Sequence, residues 1–301
     1  MRVITENLQF PEGPVVLPDG SLLVVEIRRQ TLTHIERDGR TRVVATTGGG
    51  PNGAALGPDG AVYICNNGGF KWREFQGMSL PGAEPEDYSG GRIERVDLDT
   101  GRVEVLYDRC GGHRLRGPND IVFDAHGGFW FTSLGKHRAP DADKGGIDYA
   151  KADGSSITEV VYPMQRPNGI GLSPDGKTLY VAETLTSRVW AWDVSAPGQL
   201  ARAPFPSPNG GRLIHSPDRY RLFDSLAVER DGNVCVATLF EGGISVCSPA
   251  GGLVEFVPFD DPFTTNICFG GDDMCTAYIT LSGTGRLIEM PWPRPGLVLN
   301  A

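Results

Sequence analysis

Six oxygen-bearing side chains recur at one place in a repeated pattern: Glu12, Asn52, Asn119, Asn168, Asp224 and Asn266. Each stands seven residues ahead of a turn position: Asp19, Asp59, His126, Asp175, Asp231 and Asp273. Carboxylates and amides donate oxygen, the ligand of hard cations such as Ca2+ rather than of tetrahedral zinc bound by nitrogen and sulfur. Glu12 and Asp224 together carry the charge that balances a divalent ion. Left unpaired in a protein interior, such groups each cost about 1–3 kcal/mol. Two arrangements satisfy them, bonding to backbone and channel water or a shared cation, and the carboxylate pair favours the cation.

The surrounding residues say which elements hold this set. Five of the six turn positions are followed by Gly (Gly20, Gly60, Gly127, Gly176 and Gly232), which supplies the positive φ of a tight hairpin; Met274 is the exception. On either side lie short runs of β-branched and aromatic residues, so each unit reads as strand, turn, strand. Third strands are expected at 34–36, 92–96 and 188–192, and fourth strands at 41–44 and 103–106. The repeat period approaches the roughly 40–50 residues of a four-stranded propeller blade. Six such units predict an all-β, six-bladed β-propeller spanning 1–301 as one domain, with surplus length at 68–90 and 200–222. Residues 1–4 are expected to close the ring beside 285–290, removing the open sheet edges.

In a propeller the first strand of each blade lines the central channel, so the six oxygen donors converge at one end of it. The second strand returns to that end and finishes there on Glu26, Asn66, Ser133, Glu183, Thr238 and Thr280.

Composition removes other classes. Lys and Arg number 28 against 37 Asp and Glu, a net charge of −9 with no basic run, so nucleic acid and anionic membrane are poor partners. No stretch of 18 apolar residues suggests a membrane span. The six cysteines show no metal or redox spacing and read as reduced thiols, which with the absence of a signal-like start predicts a cytoplasmic protein. A disulfide between Cys235 and Cys247 is the alternative. Gly48–Gly50 precede no helix and do not form a phosphate loop, and no serine elbow occurs.

Phe10-Pro11-Glu12-Gly13-Pro14, Pro118-Asn119-Asp120, Arg166-Pro167-Asn168-Gly169 and Phe223-Asp224 occur in an order that resembles the senescence-marker-protein/regucalcin/gluconolactonase family, relatives of the calcium-dependent propeller hydrolases. The resemblance covers roughly residues 8 to 296. It implies a divalent cation on Glu12, Asn119, Asn168 and Asp224, with Ca2+ first and Zn2+, Mn2+, Mg2+ or Fe2+ as alternatives. It further implies hydrolysis of a lactone, with Asp224 the leading base and Glu12 the second. A small-molecule lactone or ester is then the partner, and the chain a monomer or small homo-oligomer. An esterase or phosphotriesterase on the same scaffold, or a non-catalytic ligand-binding propeller, are the alternatives.

Asn52, Asn66, Arg116 and Trp72 are the expected substrate contacts. Sugar-lactone members carry Arg two residues before the third-blade Asn. Here that position is Gly117, with Arg116 one residue earlier. That departure argues against hydroxyl-rich sugar lactones. The segment 68–90, with Phe70, Trp72, Phe75, Met78, Leu80 and Tyr88, is expected either to cover the mouth as an apolar lid or to pack on its own blade.

Overall fold

The computed structural model describes residues 1–300. Its secondary structure is entirely β, in six main antiparallel sheets. Blade 1 is Pro11–Val16, Leu22–Glu26, Thr31–Ile35 and Thr41–Thr46. Blade 2 is Pro51–Leu56, Val62–Asn66, Arg92–Val96 and Val103–Tyr107, and blade 3 is Pro118–Phe123, Gly128–Ser133, Gly145–Lys151 and Ile157–Met164. Blade 4 begins Pro167–Leu172, Thr178–Glu183, Arg188–Ala196, and its third strand pairs on the outside with both Gln199–Ala201 and Arg212–His215. Blade 5 is Leu222–Val228, Val234–Leu239, Gly243–Cys247 and Leu253–Pro258. Blade 6 is Thr264–Gly270, Thr276–Leu281 and Arg286–Pro291, completed by the N-terminal Arg2–Thr5. First strands touch in cyclic order, and the sixth returns to the first. This is a six-bladed propeller.

The expected turns form where the repeat places them. Gly20, Gly60, Gly127, Gly176 and Gly232 have φ between 67° and 91°, and Met274 adopts the same left-handed conformation at 61°. The turn demands the backbone shape; glycine only makes it cheap. Apolar faces of successive sheets are buried against each other. Trp130, Trp190 and Trp192 fill the interface of blades 3 and 4, and Tyr63, Phe123 and Phe129 that of blades 2 and 3. All six cysteines are free. Cys235 stands opposite Val246 and Cys247 opposite Val234, one register apart, so their side chains leave the sheet on opposite faces.

The surplus at 68–90 folds into a hairpin, Trp72–Phe75 with Met78–Pro81. It packs away from its own blade. Trp72, Met78 and Leu80 lie against Phe10, Ile27 and Phe263 of blades 1 and 6. Among the described residues no helix is long and apolar enough to cross a membrane.

Candidate functional site

Every blade breaks its register at the same point. The pairing of first and second strands shifts between Glu12 and Val15, Pro51 and Gly53, Pro118 and Ile121, Pro167 and Ile170, Phe223 and Leu226, and Thr264 and Asn266. A β-bulge re-aims the side chain beside it. Six bulges at equivalent positions turn Glu12, Asn52, Asn119, Asn168, Asp224 and Asn266 toward one another around the channel.

Their side chains form two arcs. Asn52 donates to Asn119 Oδ1, Asn119 donates to Asn168 Oδ1 at 2.6 Å, and Asn168 donates to Asp224 Oδ1. On the other side Asn266 Nδ2 donates to Glu12 Oε2 at 2.7 Å, an oxygen that also accepts the Gly13 amide. Adjacent blades come close enough here to require glycine. A Cβ on Gly13 would lie 2.7 Å from Ala54 N, one on Gly53 2.6 Å from Asp120 Cα, and one on Gly169 2.5 Å from Leu226 N.

The ring gathers carboxyls whose proton affinities are raised; Glu12 is buried and Asp224 partly exposed. Burial pushes the Glu12 carboxyl up to about 7 against its hydrogen bonds from Asn266 and Gly13. Burial, then repulsion from Glu12, raises Asp224 well above the usual carboxylate range. Asp120 is a third carboxylate facing the channel, pushed up to about 8 by burial and by Glu12. Sequence reading passed over Asp120, although it adjoins Asn119 in the quoted motif. Among the described residues no three of His, Cys, Asp and Glu converge as metal ligands; the remaining oxygens of the ring are amides. The donor set fits a hard cation: two mutually repelling carboxylates, Glu12 buried and Asp224 partly exposed, with amide oxygens between them.

The second-strand ends are spent elsewhere. Asn66 is fully buried and all its hydrogen bonds are taken: Oδ1 accepts from Gly50 and Gly68, and Nδ2 donates to Gly48 O and Glu94. No donor or acceptor is left for substrate, which corrects its expected role. Glu26, Ser133, Glu183 and Thr238 are likewise tied inside their own blades, to Thr33, Asp148, Trp190 and Ser245. Thr280 bonds Thr265. Those strands keep regular alternation, so their terminal side chains point into the blade.

Arg116 also lies away from the ring. It pairs with Glu159 at 3.3 Å and stacks over Tyr162 on the flank of blade 3. Trp72 packs its ring on Phe10 and Phe70, at 5.4 and 6.4 Å between centroids. Asn52 alone of the four expected substrate contacts belongs to the ring. The space beside Gly117 is filled by Lys136, whose Cδ would lie 3.3 Å from a Cβ at that position.

The channel encloses a cavity of about 730 Å3 that touches Asn266 alone of the six ring residues, with Gly13 and Asp120 beside it, and extends toward the opposite end. There it is lined by Val16, Leu56, Phe123, Leu172 and Val228 and crossed by the C-terminal segment, with Leu297 bonded to Val228 O and Asn300 to Phe123 O. That end mixes apolar residues with Arg2, Arg37, Asp272 and Glu289 at its rim.

A polar ring inside a six-bladed propeller is the frame of a particular family. The chain matches the SMP-30/Gluconolactonase/LRE-like region over residues 10–283 and belongs to that family. It is 27% identical over 253 residues to a protein named lactonase drp35 from Staphylococcus saprophyticus, covering 83% of this chain and 70% of that one. It is 24% identical over 296 residues to a gluconolactonase of Zymomonas mobilis, covering 90% and 76%. The fold is shared with a calcium-binding regucalcin from Agrobacterium tumefaciens, at a TM-score of 0.74 and 19% identity over 99% of this chain and 97% of that one.

Proposed function

We propose that this protein is a divalent-cation-dependent lactonase whose ring holds the ion on Glu12, Asn119, Asn168 and Asp224. The observation that carries the reading is the Glu12–Asp224 pair of ring carboxylates: burial raises the proton affinity of both, and Glu12 raises that of Asp224 further. Membership in the family and the lactonase names of its relatives support the substrate class. The all-oxygen donor set and the calcium-binding fold relative favour Ca2+ over Mg2+, Mn2+, Zn2+ or Fe2+.

When bound, such a cation acts as a Lewis acid on the lactone carbonyl. The chain's own groups do the rest. Asp224 takes a proton from the attacking water, with Glu12 second in line. Water oxygen bonds to the carbonyl carbon, the ring C–O bond breaks, and the proton passes to the leaving alkoxide to give a hydroxy acid. Asn119 and Asn168 hold Asp224 through the amide relay, fixing the orientation of its carboxylate. The hairpin 72–81 covers blades 1 and 6 and limits water at the mouth.

The test is acid release from a panel of sugar, aliphatic and aromatic lactones by chelated protein, with each cation restored singly. Release restored by a cation supports the reading. Release from aryl esters or phosphotriesters alone would move the activity to the sister chemistry, and no release at all would leave a ligand-binding propeller.

A further inference from the structure

The polar ring has an apolar counterpart at the other end of the same strands. Four residues beyond each ring residue stand Val16, Leu56, Phe123, Leu172, Val228 and Gly270, and all six line the channel cavity of about 730 Å3. All but the glycine are hydrocarbon side chains. Apolar walls give water few hydrogen-bond partners, so an apolar group that enters displaces it favourably. Size and lining match a small-molecule pocket, about 300–1,000 Å3, mostly apolar with a few polar groups.

The C-terminal segment crosses the open end of this cavity. It is tied to blade 5 by Leu297 N on Val228 O, and to blade 3 by Asn300 Nδ2 on Phe123 O. Between the ties Val298 and Leu299 border the cavity and are 68% and 59% exposed, so two adjacent apolar side chains stand uncovered at its entrance. Charge stands at the same entrance. Arg37, on the turn between the third and fourth strands of blade 1, is exposed, borders the cavity and donates to Asp19 O. Among the described residues it forms no ion pair. Asp19 feels its charge, but Asp19 Oδ1 already accepts from Ser21 N and Oγ. Arg2, by contrast, pairs with Glu289 at 2.7 Å. The Tyr278 ring borders the cavity too, and its hydroxyl lies near enough to feel Glu289, Arg2 and Arg37. Asp272 stands exposed on the turn of blade 6, so the rim is positive on the Arg37 side only. A carboxylate supplies two acceptor oxygens and a negative charge, and its geometry matches the guanidinium fork.

We infer that the floor of the channel is a binding site for an amphiphilic carboxylate of the medium-chain fatty-acid class, its chain inside the apolar ring and its head on Arg37 and Tyr278 at the rim. An alcohol head would leave the guanidinium without a counter-charge, and an ammonium head would meet it as a like charge. The chain would also cover Val298 and Leu299. The site lies at the far end of the channel from Glu12 and Asp224 and stands whether or not the lactonase reading does.

The experiment is calorimetric titration of the full chain with sodium hexanoate, octanoate and decanoate below their micellar range, with decyltrimethylammonium as the cationic counterpart. One decanoate is expected per chain, with affinity rising about fourfold per methylene, as for a chain entering hydrocarbon. Arg37→Gln is expected to weaken decanoate roughly twofold to fivefold, the range of an exposed ion pair, and Arg37→Lys to recover most of that. Leu56→Gln sets a polar amide into the cavity wall and is expected to weaken decanoate more than hexanoate. Melting temperatures verify that each variant folds. No binding of decanoate, or binding indifferent to Leu56→Gln, would overturn the site. Binding unchanged by Arg37→Gln, or equalled by decyltrimethylammonium, would overturn the assignment of a carboxylate ligand.

Discussion

Asn119 donates from Nδ2 to Asn168 Oδ1 at 2.6 Å, joining the first strands of blades 3 and 4 across the mouth of the channel. Asn52 feeds this relay and Asp224 ends it, so four blades share one line of hydrogen bonds. A relay of amides ending on a carboxylate sets the orientation of that carboxylate from three blades away. Asn119→Ala cuts the line in the middle. It also removes one of the four proposed ligands, so cation affinity is expected to fall by more than the roughly tenfold of a group that only orients ligands. Calorimetric titration of the chelated variant with Ca2+ checks this.

Asp224→Asn keeps the shape of the ring and removes the leading base. The rate of lactone opening is expected to fall about 10²–10⁴-fold, the usual range for general-base catalysis. Glu12→Gln weakens cation binding first, since its carboxylate supplies half of the balancing charge. Steady-state kinetics at saturating cation separates the two, because excess cation recovers rate for Glu12→Gln and not for Asp224→Asn.

Cation binding must displace protons. The chelated protein holds the Glu12 proton up to about 7 and the Asp224 proton above the usual range. Affinity therefore rises with pH between 5 and 8, and binding near pH 6 releases protons. Titrations in buffers of different ionisation enthalpy measure that release; a pH-independent affinity would contradict it.

Asp148 gives a pH effect independent of the ring. It is buried in blade 3 against Ser133 Oγ at 2.8 Å, and burial pushes it up to about 7. The unfolded value is near 4. A carboxyl raised in the folded state contributes fully below its unfolded value and loses that contribution as pH rises through its folded one. Wild-type stability should thus fall between pH 4 and 7 by up to about 4 kcal/mol on this account. Asp148→Asn flattens the dependence. Denaturant unfolding at pH 5 and pH 8 measures the difference.

Asn66 holds together the backbone of Gly48, Gly50 and Gly68. Asn66→Ala leaves those groups and Glu94 unmatched. Stability is expected to drop by about 2–5 kcal/mol, the cost of several buried unsatisfied groups, measured by urea unfolding.

The repeat made much of this molecule legible. Six turns spaced from six polar residues led to six blades, and the strand 2–5 closes the ring beside 286–291. The ring of oxygen donors followed from the same spacing. Asn66 faces its own blade because a repeat shows where a residue falls along a strand but not which way it points; Arg116, in the loop before blade 3, turns instead to Glu159. The bulge beside each ring residue decides that, and it leaves no mark in composition. The segment 68–90 was expected to cover the mouth or to pack on its own blade; Phe70, Trp72, Met78 and Leu80 pack instead on Phe10, Ile27 and Phe263, which lie far away in sequence.

The central claim is that one divalent cation on the Glu12–Asp224 ring enables lactone hydrolysis. The most direct measurement titrates chelated protein with Ca2+ and follows bound ion and acid release from a lactone in the same sample. The account predicts one tight site per chain, with acid release rising in proportion to its occupancy and both lost together in Asp224→Ala. Acid release at full rate from chelated protein, or a fully occupied site with no release from any lactone, would contradict it.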